Sequence, residues 1–80
     1  MISYNLSSMN KAKKLVNVCD RYKAKFNVDI IYGRQIIDGC SILGVASLVG
    51  HIVSIETSSD KSEEDYLNFV KEVEEADTCY

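Results

Sequence analysis

The sequence has no apolar run approaching the ~20 residues that a bilayer span requires. Its opening, MISYNLSSMN, has no basic stretch leading into an apolar core. The first absence predicts no membrane-spanning helix and the second no signal peptide, so the expected location is cytoplasmic. Cysteine is sparse and badly arranged for bonding. Cys19, Cys40 and Cys79 make an odd set with no Cys-x-x-Cys spacing, a poor disulfide framework and a poor metal site. Cys19 reads instead as a small buried hydrophobe on a helix. The single histidine, His51, has neither an arginine nor a carboxylate beside it and reads as a partly exposed strand-end residue. A Ser-His-Asp set, a paired-acid motif, a glycine-rich phosphate loop and metal-ligand spacing are all missing. The expectation is therefore a non-enzyme with no metal, no cofactor and no small-molecule substrate. No repeat, low-complexity stretch or linker divides the chain, so residues 1–80 form one small domain.

What is present is the composition of an ordinary globular protein, 46% apolar and 26% charged. The net charge of −3 is unevenly spread. Residues 1–55 hold seven basic and three acidic side chains, a net of +4, whereas residues 56–80 hold two basic and nine acidic ones, a net of −7. Two readings fit: a basic partner-binding face opposite an acidic helix, or two solvated helix faces of opposite sign.

The hydrophobic period changes along the chain. ISYNL (2–6) alternates, as a strand does. Ser7 or Ser8 can cap the helix that follows, with an apolar stripe of Met9, Ala12, Leu15, Val16, Cys19 and Tyr22. Lys11, Lys13, Lys14, Asn17 and Arg21 then take its wet side. Phe26, Val28, Ile30 and Tyr32 alternate with Asn27, Asp29 and Ile31, which marks a half-buried strand. Gly33-Arg34 is a turn, and RQIID returns as the second arm of a hairpin. A short helix from Ile42 to about Leu48 comes next. His51, Val53, Ile55 and Thr57 alternate with Ile52, Ser54 and Glu56 as a fourth strand. Caps lie between Ser59 and Ser62, acidic residues crowd the following turn, and Tyr66, Phe69, Val70, Val73 and Ala76 stripe the last helix. Residues 77–80 are expected to fray. The order βαββαβα, with one apolar stripe per long helix, predicts an α+β two-layer sandwich. A four-stranded antiparallel sheet carries three helices on one face.

Ser41 stands where the chain turns into the short helix and is a natural cap for its orphan amides. Gly44 costs about 1 kcal/mol of helix propensity, so either close backbone packing or an exposed docking patch must require it. A phosphate on Ser41 would meet the free N–H groups and favourable dipole of a helix N-terminus.

The element order, together with SILGVASL (41–48) and YGRQIID (32–38), resembles HPr, the histidine phosphocarrier of the bacterial phosphoenolpyruvate-dependent sugar phosphotransferase system. The resemblance covers roughly residues 1–76. In that family the second helix opens with a serine, two apolar residues, a glycine, two further residues and Ser-Leu. Ser41, Ile42, Leu43, Gly44, Ser47 and Leu48 fit this pattern. The resemblance implies that Ser41 is a site of regulatory phosphorylation. It also implies the family's HPr-like open-faced fold. The family's phosphoryl-carrying run, Gly-(apolar)-His-Ala-Arg-Pro, is not matched. Ser8 falls at the histidine position, Asn10 at the arginine and Lys11 at the proline. A phosphohistidine is a reversible high-energy donor, whereas a serine ester is too stable to pass its phosphate on.

The expectation is a regulatory or protein-binding HPr-like module that has lost phosphotransfer, its partner belonging to phosphotransferase regulation. Exposed members of Ile42, Leu43, Val45 and Leu48, with Gly44, Ala46 and Ser47, would make the contact. Lys11, Lys13 and Lys14 would form its polar rim. Two alternatives remain. One is a nucleic-acid-binding module using the basic first helix, against which stand a pI near 5 and the lack of an RNP-like aromatic run. The other is an atypical phosphocarrier.

Overall fold

Seven elements follow one another in a computed structural model that describes residues 2–58 and 62–78. They are β1 (Ile2–Leu6), α1 (Met9–Tyr22), β2 (Val28–Tyr32), β3 (Gln35–Asp38), α2 (Ile42–Ala46), β4 (His51–Thr57) and α3 (Glu63–Thr78). The strands form one antiparallel sheet in the order β1-β4-β2-β3, with three helices on one face. The expected α+β class, element order and layering are therefore present.

Alternation sends Tyr4 and Leu6 of β1, Val28 and Ile30 of β2, and Val53 and Ile55 of β4 to the helix side, where all are buried. Gly33 closes the β2–β3 hairpin with φ of +60°, a conformation that costs a residue without Cβ nothing. Helices α1 and α3 meet through an aromatic cluster. Phe69 stands edge-on to Tyr22 and to Phe26, with ring centroids 5.4 and 5.3 Å apart.

Several local expectations need correction. In α1 the buried positions are Lys11, Ala12, Leu15, Val18, Cys19 and Tyr22. Met9 is 43% exposed, and Val16 is only partly covered. The stripe is rotated because α3, as well as the sheet, packs against α1. Lys11, assigned by its charge to the wet side, is 6% exposed. Its Nζ lies 2.7 Å from Asp77 Oδ1 and 5.4 Å from the centre of the Tyr4 ring. Residues 77 and 78 do not fray: both are helical, and Asp77 also accepts the backbone N–H of Asn5 at 3.1 Å. Cys79 and Tyr80 lie outside the described residues, as does Ser59 among the expected caps. Ser62 does cap α3, accepting the Asp65 amide at 3.1 Å. Helix α2 stops at Ala46, and the chain reaches β4 through turns over 47–50.

The charge asymmetry has a further expression beside those two readings. The basic helix and the acidic helix pair with each other. Lys11 meets Asp77, Arg21 and Tyr22 meet Glu72, and Lys25 meets Asp65. Residue numbers rise along α1 as they fall along α3, so the two helices run antiparallel and their opposite charges face across the seam.

Candidate functional site

The two serines singled out by the sequence each head a helix. Ser8 has extended backbone and accepts the Lys11 amide through Oγ at 3.3 Å, while its carbonyl accepts the Ala12 amide at 3.1 Å. Its hydroxyl is therefore engaged as a cap. The lysine three residues on does not turn toward it, because Lys11 is bound to Asp77. The Lys11 carbonyl in turn accepts the Tyr4 hydroxyl at 2.9 Å. This position holds neither an imidazole nor a free cation at the helix start.

Ser41 begins α2 in the way its sequence setting suggests. Its Oγ accepts the Gly44 amide at 3.3 Å and its carbonyl accepts the Val45 amide at 2.9 Å. The helix then splits its apolar residues between two environments. Val45 is fully buried and Leu48 nearly so, which removes both from any docking surface. Ile42 is 36% exposed and Leu43 85%. Ser47 is exposed, but its hydroxyl donates to the Gly44 carbonyl at 2.5 Å. A Cβ on Gly44 would stand 2.6 Å from Cγ2 of Ile37 on β3, so close packing explains the glycine. The expected contact set thus reduces on its apolar side to Ile42 and Leu43, with Ala46 half-buried, next to an exposed Ser41. Of the expected basic rim, Lys11 is buried, Lys14 half-buried and Lys13 exposed.

His51 opens β4 and is exposed, as its place in the sequence suggests. It stacks on Tyr32 at the end of β2, ring centroids 4.4 Å apart. Sequence reasoning missed this pair, since nothing local ties residue 32 to residue 51. No cation or carboxylate pairs with His51 among the described residues. A cavity of about 320 Å³ opens between the end of α1 and the β2–β3 hairpin, lined by Lys23, Phe26, Asp29, Asp38 and Cys40 among others. Burial holds the Cys40 thiol above its ordinary range. Burial, with Cys40 and Asp38 nearby, pushes the Cys19 thiol up to about 12. Neither thiol is activated as a nucleophile.

No group of three His, Cys, Asp or Glu side chains is placed to hold a metal ion among the described residues. Nor is any helix among them long and apolar enough to cross a membrane. No family model matches the chain, and no curated protein or solved structure matches it either.

Proposed function

We propose that this chain is an HPr-like, non-catalytic binding module. Its docking surface is the exposed first turn of α2, and its partner is a protein of phosphotransferase regulation. The observation that carries this reading is the exposure of Leu43. A leucine left 85% open two residues after a capping serine contributes nothing to the core, and it leaves an apolar side chain free beside the Ser41 hydroxyl. The loss of phosphotransfer in this reading is supported by Ser8, whose hydroxyl caps α1 where a carrier would present an imidazole. Phosphorylation of Ser41 would set a dianion at the edge of the apolar contact and so alter docking.

The nucleic-acid alternative loses support from the ion pairs. Of the seven basic residues between 11 and 34, Lys11, Arg21, Lys23 and Lys25 are each paired with a carboxylate of this chain. A basic helix neutralised from within offers little to a phosphate backbone.

Two experiments test the proposal. Incubated with phosphoenolpyruvate and the general enzyme that charges HPr, the protein should take up no acid-labile phosphate. Stoichiometric labelling at His51 would make it an atypical carrier instead. Against the purified HPr-recognising kinase, the native chain should bind, and Leu43→Asp should abolish binding without loss of fold. Equal binding by Leu43→Asp and the parent, or no binding by the parent, defeats the docking surface.

A further inference from the structure

The sheet face opposite the helices carries its own pattern. Register places Ile36 of β3 directly opposite Ile31 of β2, and Ile31 opposite Ser54 of β4. Ile52 follows two residues along β4 on the same face. The three isoleucines form a diagonal band across three strands, roughly 10 Å long at the usual strand spacing. Ile36 and Ile52 are 69% and 67% exposed. Beside the band runs a row of carboxylates. Asp29 lies directly opposite Asp38 on one side and Glu56 on the other, so three carboxylates stand in register across the same strands, Asp38 at the strand end also accepting the Cys40 amide through Oδ1 at 3.0 Å. Directly opposed like charges destabilise a sheet. The ion pairs of the described residues go to Asp20, Asp65, Glu72 and Asp77, and none reaches this row.

We propose that this open face is a docking site for a basic amphipathic helix of a partner protein. Two turns of helix present apolar residues at i, i+3 or i+4, and i+7 over about 10 Å, the length of the isoleucine band. Lysine or arginine on one flank of that helix then faces the carboxylate row and relieves its repulsion. The same row repels nucleic acid and anionic lipid. A second copy of this chain is also disfavoured, because its matching face carries the same three negative charges. This site lies across the sheet from α2 and does not depend on the function proposed above.

The probe is a synthetic amphipathic peptide of leucine and lysine, titrated into the full chain while backbone amide resonances are followed. Shifts should concentrate at Asp29, Ile31, Ile36 and Ile52, and added salt should weaken binding. Ile36→Ser should weaken it about tenfold, the loss of one covered apolar anchor. Asp29→Asn should weaken it and reduce its salt dependence. Both side chains are exposed, so the fold survives either change. Shifts confined to the acidic surface of α3, or equal affinity for a peptide with its leucines scattered, overturn the proposal. So does an absence of binding. Self-association lost in Ile36→Ser, or binding of anionic vesicles in place of the peptide, also overturns it.

Discussion

Ser41 caps α2, and the proposed function gives it a second task that a single substitution can separate from the first. As a cap it satisfies the Gly44 amide, so Ser41→Ala should cost about 0.5–2 kcal/mol in urea unfolding. Ser41→Asp should fold as well as the parent, because aspartate also caps and its charge suits the helix dipole. If the Asp variant binds its partner unchanged, Ser41 is a cap alone; altered binding identifies the edge of a docking surface. Lys11 makes the contrasting case of a charge that serves the interior. Its ammonium is held by Asp77, which also accepts the Asn5 amide. Asp77→Ala should cost about 1–3 kcal/mol, since it strands a buried cation and a backbone donor together. Lys11→Met keeps the apolar stem and should cost less, and the double variant should cost less than the two changes added. Denaturant midpoints of the four proteins measure the coupling.

At the level of elements, α2 is short and held from below. Replacing Gly44 by alanine ought to gain about 1 kcal/mol of helix propensity. The new methyl would instead collide with Ile37 at 2.6 Å. Gly44→Ala is therefore expected to destabilise the protein, and Ile37→Ala should rescue part of the loss despite emptying space in the core. Thermal unfolding of both single variants and the double variant tests this; strict additivity would mean that the glycine is needed for some other reason. Across the α1–α3 seam, the hydrogen bond from Tyr22 to Glu72, with burial and the carboxylate charge, raises the phenol from 10.0 to about 12. A raised folded-state value stabilises the protein fully below pH 10, the unfolded-state value, and the benefit drains away as pH climbs toward 12. Stability of the parent should fall across that window more steeply than that of Tyr22→Phe, which has no phenol to ionise.

For the molecule as a whole, one sheet separates two surfaces of different chemistry. The helix side ends in the first turn of α2, with Ile42 and Leu43 open beside Ser41. The open side carries isoleucines beside a row of carboxylates. If both proposed surfaces bind, two partners would be held at once without either blocking the other. A ternary mixture in size-exclusion chromatography should show the HPr-recognising kinase and the basic peptide bound together. Strict competition would mean that the two surfaces are not independent.

The order of elements was legible because it depends on neighbours only a few residues apart. Alternation in ISYNL and HIVSIET, the Gly33 turn and the serine caps are local signals, and each stands where its chemistry demands. The same local rules misplaced Lys11 and released residues 77 and 78, because the groups that settle both lie 66 residues apart in sequence. A lysine carries no local sign that a carboxylate will arrive from the far end of the chain to neutralise it. The choice between packing and exposure at Gly44 likewise waited on Ile37 of a separate strand. The alignment of Asp29 with both Asp38 and Glu56 exists only in the register of three paired strands. Which segments are helix or strand, and which side chains can cap them, was written in the chain order, since propensity and capping act within a turn or two of backbone. Only tertiary structure decided which charges are buried, which hydrophobes stay open and which carboxylates stand together, since those follow from contacts the chain makes by folding back on itself.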